Sequence, residues 1–152
     1  MFSQGAKAYA QVNVETAVNT ATPIQLVVLL YDGTVSALSS AKLEMTKGNI
    51  AVKARRINQA INIITELRHA LRFDDEGVKS DEPDLAVSLN DLYVYMIKRI
   101  CEANLHNDPK ILDEVIFLMN DLGSAWKTLA KNQEQAEAAS EPTPSSGISS
   151  HA

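Results

Sequence analysis

Thr22-Pro23-Ile24-Gln25-Leu26-Val27-Val28-Leu29-Leu30-Tyr31-Asp32-Gly33 is the stretch that decides the fold. Thr22 stands as an N-cap whose hydroxyl can take an orphan backbone N–H, and Pro23 falls at the first helical position, where a missing N–H removes no bond. Gln25 falls at N3 and completes a capping box. The apolar run that follows at once predicts a helix from Pro23 to about Lys47, stopped by Gly48. At ~100° per residue, Ile24, Val27, Tyr31, Leu38 and Met45 share one face of it.

Outward from that helix the same period recurs three times. A second helix is expected over about Ile50 to Leu71, with Ile57, Ala60, Ile61, Ile64 and Leu71 on one stripe. Asp74-Asp75-Glu76-Gly77 breaks it, and residues 72–82 read as the longest loop. A third helix is expected from about Pro83 to Leu105. Asn107-Asp108-Pro109 then makes a short turn, with Asp108 an N-cap and Pro109 at N1. The fourth helix is expected to reach about Lys131, its stripe being Leu112, Val115, Ile116, Met119, Leu122, Trp126 and Leu129. Helices joined mainly by short loops are antiparallel neighbours, so the pattern predicts an all-α antiparallel four-helix bundle over residues 22–133. Residues 1–21 form an N-terminal arm with little to bury by itself. Residues 134–152, rich in Ala, Glu, Ser and Pro, are expected to be a disordered tail.

Composition narrows the function. The 152 residues suffice for one domain with a sizeable core, and 45% hydrophobic with 22% charged residues is ordinary for a soluble globular protein. A net charge of −5 supplies no basic footprint for nucleic acid or an anionic membrane surface. The single cysteine, Cys101, cannot form an internal disulfide. The first residues lack the apolar core of a secretory signal, and the longest uninterrupted apolar run, Leu26 to Tyr31, falls far short of the ~20 residues of a spanning helix. These features point to the cytoplasm, without membrane insertion.

No catalytic or metal constellation emerges. Bundles can hold di-iron sites built on paired Glu-x-x-His motifs, and Glu66-Leu67-Arg68-His69 has that spacing. The wheel turns Glu66 roughly 180° and His69 roughly 120° from the Ile57 stripe, toward solvent, and no second motif exists. Cys101 has no histidine at a fixed spacing. The acidic residues at 74–84 lack the EF-hand spacing. Neither an enzyme nor a cofactor is expected.

The chain instead carries more apolar surface than a simple bundle needs. On the third helix, Leu85, Leu89, Leu92, Met96, Ile100 and Ala103 cluster within roughly 80° of one direction. Val87, Val94, Ile97, Cys101 and Leu105 cluster roughly 120–200° away, and Tyr95 lies between. Leu29 and Leu43 stand off the main stripe of the first helix, and Ile63 off that of the second. Two explanations compete: a central helix packed on both sides, or an exposed groove for a partner helix or extended peptide. An arm that covers the groove until a partner displaces it reconciles them.

Three motifs, Thr22 to Gly33, Leu89-Asn90-Asp91-Leu92-Tyr93-Val94-Tyr95-Met96-Ile97-Lys98-Arg99 and Ala125-Trp126-Lys127, occur in an order that resembles the flagellar secretion chaperone family, FliS, from about Ala8 to Lys131. The sequence departs from that family's Leu-Tyr-Asp-Tyr-Met by Val94 in place of the Asp, which makes the helix face more apolar. The resemblance implies a compact helical bundle in the bacterial cytosol that binds the disordered C-terminal segment of flagellin. It would thereby prevent premature polymerisation and deliver flagellin to the membrane export gate of the flagellar type III apparatus. It also implies that the segment matched by Lys7-Ala8-Tyr9-Ala10-Gln11-Val12 takes part in partner binding. The candidate partner-binding residues are therefore Tyr9, Val12, Ile63, Val87, Val94, Tyr95, Ile97, Cys101 and Leu105. The alternative is a structural or regulatory bundle that oligomerises, as a homodimer for instance, through the same groove.

Overall fold

The computed structural model describes residues 21–71 and 84–140. Four α-helices account for it: α1 Pro23–Lys47, α2 Ile50–His69, α3 Leu85–His106 and α4 Pro109–Ser140. The capping box at the start of α1 is formed in both directions. Gln25 N donates to Thr22 Oγ1 at 3.2 Å, and Thr22 N donates to Gln25 Oε1 at 3.1 Å. At its other end Gly48 takes a left-handed φ of 76°. There Gly48 N bonds Met45 O and Asn49 N bonds Glu44 O, the paired bonds that close a helix and release the chain into α2.

The other termini have equally local causes. Asp84 Oδ1 accepts from Ala86 N at 3.0 Å and caps α3. Asn107 ends that helix with φ 52°, the left-handed conformation that asparagine tolerates better than other side chains. Asp108 Oδ1 then accepts from Lys110 N at 3.0 Å and starts α4. Helix α2 stops at His69, two residues before the expected Leu71. The fourth helix corrects the sequence reading more strongly, because it continues to Ser140 rather than ending near Lys131. Gln133 to Ala139 are all Gln, Glu or Ala, strong helix formers, so residues 134–140 extend α4 instead of beginning a disordered tail. Residues 1–20 of the expected arm, the expected loop at 72–82 with the expected helix start at Pro83, and residues 141–152 of the expected tail lie outside the described residues.

The chain divides into two compact units, Leu29–Gly123 and a second to which residues 21–28 and 124–140 belong. In the second, Gln25 Nε2 donates to Glu134 Oε1 at 2.7 Å and ties the first turns of α1 to the last turns of α4. Within Leu29–Gly123 the four helices form an all-α bundle. Arg68 Nε bonds Asn90 Oδ1 at 3.1 Å and Lys53 Nζ bonds Asn107 Oδ1 at 3.1 Å, so α2 and α3 run antiparallel. Lys42 Nζ reaches Asp113 Oδ1 at 2.6 Å between α1 and α4.

The core of this unit contains Leu38, Ile57, Ile64, Met96, Ile100, Leu112, Val115 and Met119, all below 2% exposure. Tyr93, absent from the sequence-derived stripe, is buried as well, and its hydroxyl hydrogen-bonds the hydroxyl of Tyr31. The two rings are tilted by 57° with centroids 6.4 Å apart. Burial, and then the bond to Tyr31, hold the Tyr93 phenol far above the usual tyrosine range. Gly123 lies against Tyr31, such that a Cβ there would stand 3.6 Å from Tyr31 Cδ1. Leu92 is half-buried instead of central, and Leu85, in the first turn of α3, is 69% exposed.

Helix α1 also modifies the reading of the apolar run. By length and composition it is apolar enough to cross a membrane, with a mean hydropathy of 1.3 over its best window. Its Thr34, Ala37, Leu38 and Ala41 are buried within the bundle unit.

Candidate functional site

Helix α3 bonds each of the other three helices, through Tyr93 to α1, Asn90 to α2 and Tyr95 to α4. Its inward face is therefore fully used: Leu89, Tyr93, Met96, Ile100 and Ala103 are buried. The opposite face is not covered by any described residue. Val87 and Val94 are 44% exposed, Leu105 79%, and Cys101 is exposed too. These four lie at intervals of seven, seven and four residues, so they form one strip ~27 Å long on a helix rising ~1.5 Å per residue. Asp91 and Lys98, both exposed, border it. A row of exposed apolar side chains, the first three ~10 Å apart with Asp91 and Lys98 beside them, is a surface an amphipathic helix or extended peptide can dock on.

The other sequence candidates are distributed differently. Ile97 is half-buried on the α2 side of the strip. The antiparallel register set by the Arg68–Asn90 and Lys53–Asn107 bonds puts half-buried Ile61 level with it, which widens the apolar strip toward α2. Tyr95 lies on the α4 side, 43% exposed, with its hydroxyl donating to Glu114 Oε1 at 2.7 Å. Arg99 Nε donates to the same oxygen at 3.1 Å, and together Tyr95 and Arg99 hold the Glu114 carboxyl below the usual carboxylate range. Tyr95 is thus a tethered polar margin separate from the strip. Ile63 is half-buried on the α1 side of α2, where a Cβ added to Gly33 would come within 3.4 Å of its Cδ1. Tyr9 and Val12 lie outside the described residues.

Sequence reasoning missed one surface feature. A cleft of about 300 Å³ opens between the α1–α2 turn and the C-terminal end of α3, lined by Met45, Ile50, Lys53, Asn104, Leu105 and Asn107 among others. Its parts come from three separate helices, so no local pattern could have announced it. Glu66 and His69 are both exposed, and among the described residues no group of three or more His, Cys, Asp or Glu side chains is placed to hold a metal.

The family model for the flagellar protein FliS matches residues 5–133. The flagellar secretion chaperone FliS of Salmonella typhimurium is 40% identical over 129 residues, covering 84% of this chain and 91% of that protein. Its counterpart in Escherichia coli is 42% identical over 125 residues, covering 82% and 88%. A solved structure titled as a flagellar chaperone from bacteria shares the fold with a TM-score of 0.63 at 16% identity, covering 81% of this chain and 98% of that one.

Proposed function

The chain belongs to the FliS family and is a flagellar export chaperone, not an enzyme; on that premise we propose that it binds the disordered C-terminal segment of flagellin in the bacterial cytosol, keeps that segment from polymerising early, and delivers it to the flagellar type III export gate. The observation that carries this reading is the exposed strip Val87, Val94, Cys101 and Leu105 on the outward face of α3. A disordered segment that gains helix on docking would bury its own apolar face on that strip, and the burial would offset its ordering entropy. Ile97 would line the α2 side of the bound segment and Tyr95 its α4 margin, while Tyr9 and Val12 would contribute from the arm. Ile63, turned toward α1, would contribute least. Holding a segment in this way requires no cofactor and no nucleotide.

The test is a titration of a synthetic peptide of flagellin's C-terminal segment into the full chain, followed by calorimetry and circular dichroism. Binding with a gain of helicity that is lost in Val94→Asp supports the reading. Absence of heat with the wild-type chain overturns it. If the wild-type chain forms a dimer that Val94→Asp dissociates, and no peptide binds, the strip is a self-association surface instead.

A further inference from the structure

Lys53 is a buried cation with no anionic partner among the described residues. Its side chain, on α2, is only 8% exposed, and its ammonium lies in the cleft at the C-terminal end of α3. It donates to Asn107 Oδ1 at 3.1 Å and, at the long limit of 3.4 Å, to the backbone oxygen of Asn104. Both acceptors are neutral, and among the described residues no carboxylate comes within 4.0 Å of Nζ. The two bonds explain part of the arrangement, since a cation at the last carbonyls of a helix is favourable. An ammonium has three protons, and among the described residues only two acceptors meet it, which leaves the third directed into the open cleft. The acid on the cleft wall, Glu44, is bonded elsewhere: Asn49 Nδ2 donates to its Oε2 at 2.6 Å.

The surroundings identify what would complete the shell. Ile50 and Leu105 flank the cleft with 73% and 79% of their surfaces in water. A small inorganic anion would gain nothing from two exposed branched chains, whereas a peptide carrying a carboxylate beside an aliphatic side chain would use both. Leu105 is at the same time the last residue of the exposed α3 strip, so the strip runs directly into the cleft.

We propose that this cleft is an anion-recognition subsite in which Lys53 captures one acidic side-chain carboxylate of the segment docked along α3, and so fixes that segment's direction and register. The proposal rests on the docking role assigned to the strip. Apolar contact alone permits a helix to slide or reverse, and one charge-assisted bond in a partly desolvated cleft removes that freedom.

The experiment is a double-mutant cycle by calorimetry on the full chain. One probe is the flagellin C-terminal peptide with free side-chain carboxylates, and the other is the same peptide with those side-chain carboxylates replaced by amides; amidating the chain end alone should leave binding unchanged. Amidation is expected to weaken binding to the wild-type chain by about tenfold, within the range of a charged hydrogen bond, and to leave binding to Lys53→Met unchanged. Lys53→Gln, which retains a donor for Asn107, serves as the second variant if Lys53→Met does not fold. Equal affinity of the wild-type chain for both peptides overturns the subsite and leaves the strip standing. Binding of neither peptide overturns both.

Discussion

The two faces of α3 are both apolar and differ in what covers them. Inward, Leu89, Tyr93, Met96, Ile100 and Ala103 are sealed among three other helices; outward, Val87, Val94, Cys101 and Leu105 stand in water with polar neighbours. A core residue contributes to folding, because its burial is complete before any partner arrives. A residue on the outer strip can contribute only when something covers it. Hydrophobicity alone therefore cannot say which role a side chain plays, and a charge placed on each face separates the two.

The largest effect is expected on the inner face. Met96→Asp puts an unpaired carboxylate where exposure is 0%, and should cost about 3–5 kcal/mol, enough to leave little folded protein in a thermal or urea melt. A soluble Met96→Asp chain with near-native stability would erase the distinction between the faces. Val94→Asp should shift stability by no more than about 0.5 kcal/mol while weakening flagellin-peptide binding at least about tenfold. A cooperative loss of the fold in that variant would make the strip part of the core.

The inner face also carries a pH dependence. The Tyr93 phenol stays protonated in the folded bundle well above the ordinary tyrosine value of 10.0, whereas the unfolded chain loses that proton near it. The stabilisation tied to the neutral phenol is thus complete below about pH 10 and declines as pH rises further. Tyr93→Phe should flatten that decline in an alkaline series of melts, at a cost of about 1–2 kcal/mol at neutral pH for the lost bond to Tyr31.

Much of this contrast was legible in the sequence. Thr22 with Gln25, Gly48 and Asp108 with Pro109 are local devices, and each placed a helix boundary correctly because its chemistry acts within a few residues. The strip at Val87, Val94 and Cys101 was legible for the same reason, being a spacing along one helix. Tyr93 was not, since on the wheel it falls just past the edge of the Leu85–Ala103 stripe, and the buried face is turned toward it and away from Leu85 and Leu92. The cleft around Lys53 was hidden likewise, because three helices assemble it. The end of α4 was misread because Ala and Glu serve disordered tails and exposed helices equally well. That end yields the smallest expected effect. Truncation after Ser140 should leave the melting temperature unchanged. Truncation after Gln133 removes the exposed Gln25–Glu134 bond and should lower stability by less than about 1 kcal/mol.

Gly123 shows that this bundle is not tuned to its limit. It is a buried glycine in the interior of α4, a position where Ala is favoured by about 1 kcal/mol in intrinsic helix propensity. The space for a methyl group exists, as the atoms it would meet belong to the Tyr31 side chain at 3.6 to 3.9 Å, ordinary contact distances. Gly123→Ala should therefore yield a more heat-resistant chaperone at no steric expense. The bundle thus keeps a looser joint beside Tyr31 than thermostability alone would choose.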